Sequence, residues 1–166
     1  MERLYTVTPK PSVAIGCDDA ALQLKETLRD YVESLGYEVT DFGIYRQEPV
    51  LYPDVAFALA GSIAAGKQQR GILLCGTGIG MAISANKVRG IRAAQAHDTY
   101  SAERARKSND AQIVTLGARV VGPELAKQVV KSFLESDFQG GGSTAKVARI
   151  EAYEQELAQA RKESGL

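Results

Sequence analysis

Two hydrophobic periods alternate along this chain, and each change of period marks an element. Residues 13–17 (VAIGC) form a short continuous apolar run, the pattern of a strand buried on both faces. From Ala20 to Leu35 the apolar positions Leu24, Leu28, Val32 and Leu35 recur at helical spacing, and Gly36 is a helix stop. Residues 37–43 (YEVTDFG) alternate as a strand does, and Gly43 breaks it. The segment 44–52 is polar and loop-like; Pro53 then suits the first turn of a helix reaching about Ala65, before Gly66. GILLC (71–75) is the most apolar strand, followed by a glycine-rich turn and a helix through about Lys87. IRAAQA (91–96) predicts a fourth strand, 100–107 a helix, AQIVTLG (111–117) a fifth strand, and Pro123 opens a helix to about Leu134. QGGG (139–142) is a flexible link to a last, polar helix over about 143–162.

Strands alternating with helices predict an α/β fold: a single doubly wound five-stranded parallel sheet, Rossmann-like, with right-handed crossovers and flavodoxin-type strand order. Residues 1–12 are expected to be an irregular lead-in, 13–138 the α/β domain, and 139–166 a C-terminal helical extension. The polarity of that last helix admits two readings, a solvated face or an arm laid across a second subunit.

The 166 residues, 45% of them hydrophobic, suit one domain with one core. Twenty basic side chains balance 20 acidic ones, so bulk charge draws the chain to neither nucleic acid nor an anionic membrane. No apolar run approaches the roughly 18 residues of a membrane span, and the first twelve residues lack the apolar stretch of a signal peptide. Cys17 and Cys75 are far apart and form no disulfide framework, which predicts a reducing cytoplasm. One histidine and two cysteines with no ligand spacing argue against a zinc site.

In such sheets ligands bind beyond the carboxyl ends of the strands at the switch point, here between strands one and three. Those ends are Cys17-Asp18-Asp19 and Cys75-Gly76-Thr77-Gly78-Ile79-Gly80. Glycines at alternate positions before a helix make a nest of N–H groups that binds a phosphate or a developing oxyanion. The same nest would support a thiolate at Cys75, with Thr77 in reach. A buried cysteine before an ordinary strand–helix turn is the alternative. Met81 stands where a dinucleotide fingerprint needs glycine, and no Gly-Lys-Ser/Thr completes a P-loop. Asp18 and Asp19 either cap the next helix or grip hydroxyls. His97 ends strand four and stands open between a structural and a site role. Ser108-Asn109-Asp110 precede strand five. Arg119 follows it, as a surface residue or a phosphate ligand.

Gly16-Cys17-Asp18, Tyr52-Pro53, the Cys75–Gly80 turn, Ala85-Asn86-Lys87, Gly90-Ile91-Arg92, Ser108-Asn109-Asp110 and Gly117-Ala118-Arg119-Val120-Val121-Gly122 occur in one order across about residues 13–150. Together they resemble the ribose-5-phosphate isomerase B family, which includes the galactose-6-phosphate isomerase subunits. The resemblance implies a cofactor-free aldose–ketose isomerase of a small phosphorylated sugar, working through an enediolate. It also implies a homodimer or homotetramer whose active sites are shared between subunits. By resemblance Cys75 is the base that moves the proton between C1 and C2, and Thr77 assists at the sugar oxygens. The N–H groups of Gly76, Gly78 and Gly80 hold the enediolate oxygen. Asp18 and Asn109 bind hydroxyls, Asn109 from the neighbouring subunit, while Tyr52 lines the pocket and Arg119 binds phosphate. Asn86 is placed with the binding residues.

The chain departs from the family pattern at four places. Asp19 and Ser108 each stand where a histidine is usual, Gly142 and Lys146 where arginines are usual; Lys146 supplies a point charge rather than a fork. The histidine replaced by Ser108 normally opens the sugar ring. A four-carbon aldose phosphorylated on its last oxygen cannot close a five-membered ring, because O4 is blocked. Two substrate pairs therefore stay open: erythrose/erythrulose 4-phosphate, or ribose/ribulose 5-phosphate with His97 taking over ring opening. A non-catalytic phosphosugar-binding or partner subunit is a competing class, and a thiol hydrolase pairing Cys75 with His97 is another.

Overall fold

Five short strands and six α-helices alternate through residues 9–165, the part of the chain that the computed structural model describes; residues 1–8 of the expected lead-in, and Leu166, lie outside it. The elements are β1 (Val13–Cys17), α1 (Leu22–Ser34), β2 (Val39–Asp41), α2 (Tyr52–Ala64), β3 (Arg70–Cys75), α3 (Ile79–Ala85), β4 (Ala93–Gln95), α4 (Thr99–Lys107), β5 (Ile113–Gly117), α5 (Pro123–Leu134) and α6 (Thr144–Glu163). The strands form one parallel sheet in the order β2-β1-β3-β5-β4. β1 and β3 are neighbours, which places the switch point between them as expected.

The last two strands are exchanged relative to flavodoxin order, which would set β4 beside β3. Burial explains the exchange. Every residue of β5 (IVTLG) is buried, as an interior strand covered on both faces requires. β4 (AAQ) is three residues long and only partly buried, which suits an edge.

Side chains alternate across the sheet, so two cores form. Ile72 and Leu74 of β3 join Leu28 and Val32 of α1 and Val129 and Phe133 of α5 on one face. Leu73 and Cys75 join Val55 and Leu59 of α2 and Met81 of α3 on the other. Cys75 thus belongs to the face covered by α2 and α3.

Lys25 is a charged side chain buried among the apolar ones. Its side chain is 0% exposed on the inner face of α1. Its ammonium donates to Asp41 Oδ2 at 2.7 Å and to the Ile44 carbonyl at 2.7 Å, and pairs with Glu26 at 2.8 Å. Asp41 Oδ1 in turn accepts the Gly43 N–H at 2.8 Å. This knot fixes the loop after β2, whose Gly43 carbonyl accepts the Cys17 N–H at 2.7 Å. The loop is therefore stitched to the residue that precedes Asp18.

α6 returns to the amino-terminal edge of the sheet. Val147 is buried, Glu154 accepts the Gly90 N–H at 3.0 Å, and Glu151 pairs with Arg92 at 3.2 Å. Its Ile150, Tyr153 and Leu157 stay exposed. Among the described residues no helix is long and apolar enough to cross a membrane.

Candidate active site

The carboxyl end of β3 carries Cys75, only 5% exposed, and the chain then turns sharply into α3. Gly78 makes the turn possible: its φ is +79°, and a Cβ there would lie 2.9 Å from the Leu116 backbone. The Gly78 N–H points back at the Cys75 sulfur at 3.0 Å, a donor placed where a thiolate accepts most strongly. The Ile79 N–H donates to Thr77 Oγ1 at 3.3 Å, which leaves the Thr77 hydroxyl proton free to donate outward. The N–H groups of Gly76, Thr77 and Gly80 have no acceptor among the described residues.

Asp18, Tyr52 and Arg119 close around this turn. A cleft of about 430 Å³ is lined by Asp18, Tyr52, Cys75, Thr77, Ile79, Ile83, Arg119 and the turn glycines Gly76 and Gly80. Tyr52, opening α2, lays its ring on Gly80, where a Cβ would fall 2.6 Å from the ring. Arg119 reaches over Gly76, with Nη1 3.3 Å from a Cβ built there. Asp18 accepts the Ala20 N–H at 3.0 Å. Burial raises the Asp18 carboxyl above its usual range and the charge of Asp19 adds to this, while the Ala20 N–H and Arg119 oppose it. A larger hollow of about 600 Å³ between α1 and α5 is lined mainly by Leu, Ala, Val and Pro and holds no thiol. Chemistry, rather than size, singles out the smaller cleft.

The other predicted residues stand elsewhere. The Gly117 N–H donates to His97 Nε2 at 2.9 Å, so His97 braces the end of β5 and does not line the cleft. The Asn86 side-chain amide donates to the carbonyls of Ala82 and Ala93 and accepts the Ala93 N–H, tying α3 to β4. Asp19 is exposed, and its carbonyl accepts from the Gln47 side chain. Ser108 ends α4, and Asn109 and Asp110 lead into the amino end of β5. Lys146 is exposed on the first turn of α6. β5 runs from Asn109's end to Gly117, which pairs with Cys75, so about 15 Å of strand separates that group from the cleft.

Three residues to which the sequence reading gave no role of their own support the turn. Gln95 donates to the Thr77 carbonyl at 2.7 Å and Thr115 to the Gly78 carbonyl at 2.8 Å. Gly117 leaves room for Thr77, whose Cα would lie 2.6 Å from a Cβ there. The available signal was a lone polar residue in each short strand, Gln in AAQ and Thr in IVTLG.

A thiol under an aimed amide, unpaired N–H groups beside it, a carboxylate and a guanidinium are the parts that proton transfer next to a carbonyl requires. Fold and cleft fit the class of aldose–ketose isomerases. The sequence pattern of the Ribose/Galactose Isomerase family matches residues 13–150. The D-erythrulose-4-phosphate isomerase of Pectobacterium atrosepticum is 60% identical over 147 residues, 86% of this chain and 95% of that protein. The Ribose-5-P isomerase B of Listeria innocua is 54% identical over 143 residues, 86% and 97% of the two chains. The structure of Clostridium thermocellum ribose-5-phosphate isomerase B superposes with a TM-score of 0.86 at 42% identity, covering 88% of this chain and 99% of that one. The chain belongs to the ribose/galactose isomerase family.

Proposed function

We propose that this isomerase interconverts erythrose 4-phosphate and erythrulose 4-phosphate, with Cys75 as the base. One observation carries the choice of substrate. The chain has a single histidine, and its Nε2 is committed to the Gly117 N–H rather than to the cleft. Ribose 5-phosphate closes into a furanose through O4 and needs a group to open it. A tetrose with phosphate on O4 has no such ring and needs none. The 60% identity to a D-erythrulose-4-phosphate isomerase supports the same reading. The rival is ribose 5-phosphate, favoured by the 54% identity to a ribose-5-P isomerase B.

In the proposed reaction the Cys75 sulfur removes the proton beside the carbonyl and returns it to the neighbouring carbon, while the hydroxyl proton passes from one sugar oxygen to the other. Negative charge gathers on the sugar oxygen. The N–H groups of Gly76, Thr77 and Gly80 meet it, each fixed donor lowering the barrier by roughly 3 kcal/mol. The Thr77 hydroxyl donates to a sugar oxygen, Asp18 accepts a substrate hydroxyl, and Arg119 holds the phosphate.

The active unit in this reading is a homodimer or a tetramer built from it. Leu51, Ile79 and Ile83 are exposed apolar residues around the cleft mouth, as an uncovered interface would be. Asn109, Ser108 and Lys146 would come to each cleft from a second copy, with residues 139–166 packing on it through Ile150, Tyr153 and Leu157. Two free cysteines, one of them the base, suit a reducing cytoplasm.

A coupled assay on purified protein, comparing the two sugar phosphates at equal concentration, tests the proposal. A higher kcat/KM on erythrose 4-phosphate is expected. A higher value on ribose 5-phosphate would overturn the tetrose assignment and leave the base assignment standing.

A further inference from the structure

The carbonyls of four successive residues in the turn are all held by the protein. The Cys75 oxygen accepts the Ala118 N–H at 2.9 Å and the Gly76 oxygen the Arg119 N–H at 3.1 Å. The Thr77 and Gly78 oxygens accept side-chain donors instead, from Gln95 at 2.7 Å and Thr115 at 2.8 Å. A peptide group is planar and trans, so its C=O and the next N–H point in opposite directions. Holding the Thr77 oxygen therefore aims the Gly78 N–H, which is the donor to the Cys75 sulfur at 3.0 Å. Holding the Gly78 oxygen likewise aims the Ile79 N–H at Thr77 Oγ1.

We infer that Gln95 is a positioning residue for the Cys75 base: from the edge strand it locks the 77–78 peptide so that the Gly78 N–H faces the sulfur. Thr115 does the same for the 78–79 peptide and the Thr77 hydroxyl. Gln95 and His97 lie two residues apart and so leave β4 on the same side. Both brace the turn, Gln95 directly and His97 through Gly117. β4 is short and partly exposed, and its carboxyl end serves the site rather than the core.

The inference rests on Cys75 being the base, and its test separates the two. Gln95 is exposed, so Gln95→Leu removes the donor with little cost to folding. Expected is a kcat about tenfold lower at unchanged KM, less than the 10²–10³ that loss of a whole oxyanion donor costs. Iodoacetamide labelling of Cys75, followed by mass spectrometry across pH, needs no substrate. Its midpoint should move to higher pH in Gln95→Leu, because the thiolate loses an aligned donor. Thr115→Val should lower kcat and Thr115→Ser restore it. An unmoved labelling profile, or an unchanged kcat in Gln95→Leu, would overturn the inference. A moved profile in an enzyme that isomerises neither sugar would uphold the alignment and sink the proposed function instead.

Discussion

Gly117 and His97 are joined by a hydrogen bond from the glycine N–H to Nε2 at 2.9 Å. A ring nitrogen that accepts an amide proton has no lone pair left for a substrate hydroxyl. His97→Asn should therefore lower kcat/KM on the tetrose and the pentose phosphate by one common factor. Measuring both substrates on one preparation decides this. A selective loss on ribose 5-phosphate would make His97 the ring-opening group.

The two cysteines should behave differently toward chemistry and reagents. Burial pushes the Cys17 thiol up to about 12, so it stays protonated and inert at neutral pH. Cys75→Ala should cost about 10²–10⁴ in kcat, the range of a lost acid–base group, with KM little changed. Cys17→Ala should keep kcat. Iodoacetate should inactivate by labelling Cys75, and erythrose 4-phosphate should protect. Inactivation that tracks labelling of Cys17 would contradict the assignment.

Asp18 predicts a pH dependence with a definite sign. Burial first, and then the charge of Asp19, raise its carboxyl above the ordinary value of about 3.9. If the ionised form grips the substrate hydroxyl, the acid limb of kcat/KM lies above that value and disappears in Asp18→Asn. Stability responds in the opposite sense. Between the unfolded and the raised folded value the unfolded chain holds fewer protons, so stability falls as pH rises through that window. Asp18→Asn should thus raise Tm at neutral pH, with the gain fading in acid below the unfolded value. Thermal melts at pH 3.5 and 7 test the sign. A gain that is larger at the lower pH would refute it.

Lys25 predicts a stability effect remote from the chemistry. Its folded-state affinity for the proton is raised: burial opposes the charge, but Asp41 and Glu26 outweigh it. Lys25→Met takes the ammonium away from Asp41 Oδ2 and the Ile44 carbonyl and should cost about 3 kcal/mol, the scale for removing one partner of a buried ion pair. Urea denaturation would show a lower midpoint at unchanged slope. A change under 1 kcal/mol would mean that water replaces the ammonium.

What the sequence determined by itself was local. Period and punctuation placed every strand and helix within a few residues, because apolar spacing and glycine stops act over one or two turns of chain. The Cys75–Gly80 turn was legible for the same reason, as a thiol and its amide donors lie within six consecutive residues. The order of β4 and β5 was not, because periodicity says which face is buried and not which strand lies alongside. With β4 at the edge beside β5, Gln95 reaches the Thr77 carbonyl and His97 the Gly117 N–H, contacts that no spacing rule could reveal. Lys25 sat in the apolar stripe of α1 with only Glu26 beside it in sequence to pair it, since Asp41 and Ile44 reach it only through the β1–β2 pairing. In the sequence His97 stood open between a structural and a site role, and Asn86 was placed with the binding residues. Only the packed sheet showed their hydrogen bonds already taken, because a buried backbone donor or acceptor must find a partner and takes whichever side chain the fold brings within 3 Å.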